Sequence, residues 1–282
     1  MRMRSWTGGL VLSVALIIVV VLIALSSHEP TYQGRVLRAW LREMQHPSPL
    51  IRHNAQEAVN HLGTNAVPVL RERLHAEDSS IKTNIMHLLS QQRFVRIRFF
   101  PARERRISAA LACFVLGPSA EPAIPDLLEF SAEDSYCRNL AESALGQMGP
   151  GAVERISCAL TNEDLNVRRT AAGALHHIGA PGIKAAAALV NCLNDRYGSV
   201  RTEAAYALGR MGASPAILRG LAEALDDDDP GVRVAAAASL VEFGQSAVPV
   251  LIDRFERSDL QGSARISKVL QDIAAAEKTS SQ

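Results

Sequence analysis

Residues Asp164–Gly179 read D-L-N-V-R-R-T-A-A-G-A-L-H-H-I-G, and the same skeleton returns twice downstream. It reappears as V-R-T-E-A-A-Y-A-L-G-R-M-G at Val200–Gly212 and as D-P-G-V-R-V-A-A-A-A-S-L-V-E-F-G at Asp229–Gly244. The shared parts are an Asp, a Val-Arg, paired alanines, a Leu and a closing Gly. A recurrence of about thirty residues is the signature of stacked repeats and decides the fold class ahead of any local propensity.

The register is fixed by a basic residue at Arg52, Lys82, Arg106, Arg138, Arg168, Arg201 and Arg233, with Arg265 as a degenerate last copy. The steps are 30, 24, 32, 30, 33, 32 and 32 residues. Three residues on stands an alanine in six copies (Ala55, Ala109, Ala141, Ala171, Ala204, Ala236), and eleven on a glycine in the same six (Gly63, Gly117, Gly149, Gly179, Gly212, Gly244). Each part has a physical role. Asp78, Asp134, Asp164 and Asp229 lie four before the basic residue, where a carboxylate can cap the free N–H groups of a new helix. The alanines allow close helix approach, and Val59, Cys113, Leu145, Leu175, Leu208 and Leu240 fall on the same face. The glycine ends the helix in the left-handed conformation. A second helix follows, opened by small residues and Pro, as at Ala66-Val67-Pro68, Pro181-Gly182, Pro215 and Ala247-Val248-Pro249.

The V-R-x-x-A-A-x-A-L-x-x-[IM]-G pattern of Val167–Gly179, Val200–Gly212 and, less fully, Val232–Gly244 resembles the short HEAT-like repeats first named from phycobilisome linker and lyase proteins. The resemblance covers residues 48–276. It implies an all-α, armadillo-like fold: a right-handed α-solenoid of about seven to eight stacked two-helix repeats. It further implies protein–protein interaction along a concave surface lined by the second helices. Surface residues expected there are Arg71, Arg73, Asp126, Glu129, Arg155, Lys184, Arg219, Glu223, Asp253 and Arg257.

The composition suits this reading: 48% hydrophobic residues, only 5% aromatic, and 21% charged. The net charge of +1 argues against wholesale nucleic-acid binding, but it conceals a gradient. Residues 26–106 carry 13 Lys/Arg against 7 Asp/Glu, and residues 107–282 carry 15 against 22. The array is basic early and acidic beyond. Cys113, Cys137, Cys158 and Cys192 show no metal or disulfide spacing and read as small buried hydrophobes.

At the N-terminus, Arg2 and Arg4 precede eighteen uncharged, almost wholly apolar residues, Gly8–Leu25. As a helix these would span roughly 27 Å, enough for a bilayer's hydrocarbon core. The favoured expectation is an uncleaved signal anchor over residues 1–27, a single transmembrane helix with its N-terminus cytoplasmic and the repeats on the extracytoplasmic side. A cleaved signal peptide is the other reading, with Ala24-Leu25-Ser26 a passable cleavage site. Residues 28–47 are then a linker and a capping helix, Gln33–Met44, that packs Trp40 on the first repeat. Residues 277–282 are expected to be a disordered tail.

The second unit departs from the pattern. Lys82 replaces Arg, Arg93 stands in place of Gly, and the next unit begins after only 24 residues, leaving no room for a second helix. In its place comes Arg93-Phe94-Val95-Arg96-Ile97-Arg98-Phe99-Phe100-Pro101, then Arg103 and Arg105. Arg93, Arg96, Arg98, Phe99, Phe100, Arg103 and Arg105 are therefore the candidate partner-binding residues, suited to an acidic peptide, anionic headgroups or single-stranded nucleic acid. The alternative is a connecting segment whose phenylalanines fill the gap while the arginines stay solvated.

No catalytic set stands out. His53, Glu57 and His61 share a helical face but lack an H-E-x-x-H, and the adjacent His176-His177 diverge on a helix. Asp226–Asp229 reads as a helix cap at Asp229 preceded by a solvated turn. No catalytic residue, cofactor or metal is expected. The leading expectation is a membrane-anchored, non-catalytic scaffold that binds a protein or peptide. The alternative is a lyase-type or nucleic-acid-acting HEAT-like protein using the basic 93–106 segment, although the anchor and the acidic C-terminal two-thirds count against nucleic acid.

Overall fold

The computed structural model describes residues 29–79 and 100–280. The described chain opens with a hairpin in which β1 (Thr31–Tyr32) pairs antiparallel with β2 (Arg35–Val36). Gln33 and Gly34 close it at φ 49° and 71°, the positive pair that a two-residue turn requires. A single short helix, α1 (Leu37–Leu41), follows. The capping helix expected over Gln33–Met44 is thus a hairpin and little more than one helical turn, because Gln33-Gly34 turns the chain instead of propagating a helix. Trp40 does pack inward, at 5% exposure. Its indole N–H donates to the Tyr32 carbonyl at 3.3 Å, and the Tyr32 ring stacks on His61 of the first repeat at 4.7 Å. Glu29 is not linker: it is buried and accepts from the backbone N–H and Nε of Arg38.

Paired helices follow. The first pair is α2 (Pro49–Leu62) with α3 (Val67–Leu74), and the next is α4 (Ala102–Leu116) with α5 (Ile124–Phe130). Then come α6 (Ser135–Gln147) with α7 (Val153–Ala159), and α8 (Leu165–Ile178) with α9 (Ala186–Cys192). The last pairs are α10 (Gly198–Gly209) with α11 (Pro215–Ala224), and α12 (Pro230–Glu242) with α13 (Val248–Arg257). A final helix, α14 (Leu260–Ser280), lies against α12 and α13 and runs beyond residue 276. It buries Ile266, Val269 and Ile273 and turns Lys268 and Asp272 outward, which gives the stack a polar end.

The sequence skeleton explains each helix boundary. Asp134, Asp164 and Asp229 cap α6, α8 and α12, accepting from the N–H of Cys137, Asn166 and Gly231 at 2.8, 2.7 and 2.7 Å. The six repeated glycines all have positive φ. At Gly179 the φ of 67° comes with ψ of −141°, so it lies outside the left-handed helical well, in a region open essentially to glycine alone. That backbone leads into a 3₁₀ turn that reverses the chain into the second helix. The six alanines and the six residues four beyond them are all completely buried. They let α4, α6, α8, α10 and α12 stack as one continuous layer. The approach is close enough that a Cβ on Gly209 would fall 2.4 Å from Ser239 Oγ, which donates across the interface to the Ala205 carbonyl at 2.9 Å.

The repeated arginine builds a ladder along the inter-repeat loops. Arg168 donates through Nη1 to the carbonyls of Asn162 and Glu163, which precede its own helix, and through Nε and Nη2 to the Asp195 carboxylate in the next loop, at 2.7 and 3.0 Å. Arg201 repeats the arrangement, gripping the Asp195 carbonyl and, bidentately at 2.7 Å, the Asp227 carboxylate. Arg233 then takes the carbonyls of Asp227 and Asp228. Side chain and backbone alternate from Arg168 to Arg233 without a break. Arg106 forms a similar rung to Glu133, and Arg52 holds the carbonyls of His46 and Pro47. Asp226–Asp229 is accordingly not a solvated turn around one cap. Asp226 meets Arg254 and Arg265, Asp227 meets Arg201, and Asp229 caps α12.

Most of the irregular second unit lies outside the described residues. Lys82 lies outside the described residues, but the residues flanking it show how the stack continues. Asp78 Oδ2 accepts from the Ala102 N–H at 2.7 Å, Arg105 donates to the Glu77 carbonyl and Asp78 Oδ1, and Arg106 donates to the Ala76 carbonyl. Residues 76–78 therefore act as the loop in front of α4, the role Asn162–Asp164 plays for α8. The pair α2/α3 packs directly on α4/α5. Breaking a rung should be costly, because both partners are largely withdrawn from water. Arg201→Ala should lower unfolding stability by about 3 kcal/mol in urea titration, and Arg201→Lys should restore only part, since an ammonium cannot span both carboxylate oxygens.

Candidate functional site

Of the seven candidate partner-binding residues, Arg93, Arg96, Arg98 and Phe99 lie outside the described residues. Phe100 is half-buried and lines a cavity of about 570 Å³ with Arg35, Arg42, His46 and Glu104. Arg103 donates to Asp134 at 2.7 Å and lies over the Tyr136 ring, and this pairing, with the Cys137 N–H, holds the Asp134 carboxyl down at about 2. Arg105 is committed to Glu77 and Asp78. Both arginines are thus occupied in joining repeats.

The second helices present the more open surface. Asp126, expected to be exposed, is buried because Arg71 Nε and His75 Nε2 close over it at 2.6 and 2.7 Å. Arg155 turns to Glu121 at 3.3 Å, while Glu129 stays largely exposed, 3.8 Å from His75. At the C-terminal end a cavity of about 480 Å³ holds Arg219, Arg254, Arg257 and Arg265 among Glu223, Asp226, Asp253 and Asp259, so its charges largely neutralise one another. A third cavity, about 510 Å³, opens between α5 and α7. Its wall includes Cys158, which is exposed, whereas Cys113, Cys137 and Cys192 are buried as expected. All four thiols are free. Periodicity placed Cys158 in an apolar run, but the outward position on α7 decides its exposure. His53 lies 3.5 Å from Glu57, and His61 is engaged with Tyr32. Among the described residues no group of three or more His, Cys, Asp or Glu is placed to hold a metal ion.

The first-helix layer contains one feature that the sequence reading missed. Glu142 on α6 is 8% exposed, and its Oε1 finds no hydrogen-bond partner. It fits only because residue 173 on α8 is glycine, where a Cβ would stand 2.6 Å from the carboxyl carbon. Desolvation, with the Glu203 charge adding to it, raises the Glu142 carboxyl to about 7, against the opposing fields of Arg169 and Arg138. Arg169 is itself paired with Glu203 at 3.0 Å. His176 and His177 lie further along the same interface, and burial together with its neighbour lowers the His177 pKa. A Glu following the repeated alanine was a visible departure from the skeleton, but only the packed neighbour showed it to be buried.

The geometry defines the class: a stack of antiparallel helix pairs, an α-solenoid. The sequence model for HEAT repeats matches residues 124–209 and 186–267, together just over half of the chain. The protein belongs to the HEAT-repeat family. Solved structures that it resembles include the complex of CpcE and CpcF of phycocyanin lyase from Nostoc sp. PCC7120, at 24% identity over 52% of this chain and 98% of that one, TM-score 0.43. Others are human deoxyhypusine hydroxylase in complex with glycerol (19%, 85% and 84%, TM-score 0.35) and a designed armadillo repeat protein in complex with the peptide (KR)4 (14%, 84% and 99%, TM-score 0.36). At these similarities the assignment rests on the family match and the repeat geometry. No curated protein matches the sequence.

Glu142 makes the stability of this solenoid depend on pH in a defined direction. Its folded-state value near 7 exceeds the ordinary 4.5, so its stabilising effect is complete below about pH 4.5 and is lost as pH rises to about 7. The loss amounts to at most about 3 kcal/mol. Glu142→Gln should therefore raise the urea midpoint at pH 8 and leave it nearly unchanged at pH 4.5. Equal effects at both pH values would contradict the assignment.

Proposed function

We propose that this chain is a non-catalytic scaffold, anchored to a membrane by residues 1–27, that binds a protein or peptide along the second-helix face of its HEAT repeats. The observation that carries the binding role is the division of labour within each repeat. Residues that recur between copies are consumed in stacking: the buried alanines, the ladder arginines and the capping aspartates. Residues that differ between copies, such as Glu129, Cys158, Lys184, Arg219 and Ile252, stand on the second helices or the turns that lead into them and face solvent. A surface that varies along a rigid array is suited to reading an extended partner. The HEAT-repeat fold is consistent with such a role.

The anchor falls on residues outside those the structure describes, and its support is compositional: the apolar Gly8–Leu25 run behind Arg2 and Arg4. In this reading the N-terminus is cytoplasmic and the solenoid extracytoplasmic. Protease added to intact cells after permeabilising any outer barrier should degrade the repeat domain while an N-terminal tag survives; the opposite pattern would reverse the topology. Affinity capture from native membranes on residues 29–282 should retain a partner that is released by charge reversals on the second helices. If nothing is retained, and residues 1–27 alone reproduce the activity of the whole chain in cells, the scaffold reading fails.

A further inference from the structure

The cavity between α5 and α7 has a consistent chemistry. Its walls are apolar, formed by Ile124, Pro125, Leu128 and Ala132 on one side and Ala159 and Val167 on the other. At about 510 Å³ it falls within the ~300–1,000 Å³ typical of clefts that take up a ligand. The rim carries Glu129, Arg155 and Asp164. Arg155 is directed to Glu121, which leaves an acidic balance, and the exposed side chains of Glu154 and Glu163 lie in the same unit. The surrounding residues 107–282 have 22 acids against 15 bases. Nothing comparable holds at the C-terminal cavity, where arginines and carboxylates alternate.

Resting on the scaffold reading above, we infer that this groove takes a basic peptide segment of a partner, one that seats an apolar side chain between α5 and α7 while a flanking Lys or Arg residue faces Glu129. Burial of the anchor supplies affinity, and the rim charges supply selection against acidic sequences and a faster encounter. An anionic membrane surface would be repelled by the same rim. Cys158 stands in the wall, so an occupied groove covers it. It is the one exposed thiol among the four, and burial pushes Cys113 up to about 12 and Cys192 up to about 11, which keeps those two unreactive.

The test uses the full chain in mild detergent and a fluorescent peptide in which Leu and Phe alternate with Lys and Arg, against a control with Glu at every basic position. The basic peptide should bind with a Kd on the order of 10 μM, weaken about tenfold as ionic strength rises from ~0.05 to ~0.5 M, and slow the reaction of Cys158 with Ellman's reagent. Glu129→Lys should weaken it several-fold, and Cys158→Phe, which fills the groove, should abolish it; circular dichroism and thermal melting of both variants show that the fold is intact. Binding of the acidic control, or of the basic peptide with no change in the Cys158 rate, would overturn the inference. So would slowing of Cys158 by raised protein concentration alone, which would assign the groove to a second copy of the chain. A captured partner that ignores both substitutions would sink the groove while leaving the scaffold standing; capture of no partner would count against the scaffold itself.

Discussion

At Arg106, Arg168 and Arg201 a guanidinium is held simultaneously by the loop before its own helix and by the loop before the next, and the register of the stack depends on these rungs. Helix-on-helix burial is non-directional and would tolerate sliding between neighbouring pairs. A planar fork with fixed donors does not tolerate it. At Arg201 the Asp195 carbonyl and both oxygens of Asp227 are met together at 2.7 Å, a condition that only one register satisfies. Burial pushes the Asp227 carboxyl up; the hydrogen bonds from Arg201 and the Asp229 N–H, with the charges of Arg201 and Arg233, together outweigh it and keep the group below the ordinary carboxylate range. The ladder therefore persists at neutral pH and weakens only in acid.

The ladder also explains how the array absorbs an irregular unit. A rung needs carbonyls and a carboxylate at the right place in space, not a fixed distance along the chain. Ala76–Asp78 supplies them to Arg105, Arg106 and the first turn of α4 from across some two dozen residues. The basic stretch leading into α4 has a dual character for the same reason. Its last arginines are spent on Asp78, Asp134 and Glu133, which removes them from the cations free to meet a partner.

Most of the stacking was legible in the sequence because it is repeated, and repetition converts a weak local signal into a phase. Ala171 and Leu175 could each be assigned a face, and Gly179 a positive φ though not its well, by comparison with five other copies. What could not be read was whatever happens once. Asp126 looked like a surface residue of a second helix until Arg71 and His75, more than fifty residues earlier, were seen to close over it. Cys158 differs from Cys192 only in which side of a short helix it occupies. The helical spacing of Val36, Leu37, Trp40 and Leu41 does not reveal the hairpin turn at Gln33-Gly34, whose positive φ pair shows only in the folded chain.

The same distinction bears on where binding evolves in such an array. A first-helix position is constrained twice, by its own repeat and by the next, and Glu142 shows the cost of departing from the pattern there: a carboxyl oxygen without a hydrogen-bond partner, tolerated because residue 173 is glycine. The second helices meet fewer such demands. Between α5 and α7 the side chains can stand apart and leave an apolar gap with charged edges. Glu129 and Cys158 belong to neither the ladder nor the alanine layer, so substitutions there leave the stacking contacts in place. A solenoid built this way can vary its surface one second helix at a time while its stacking stays fixed.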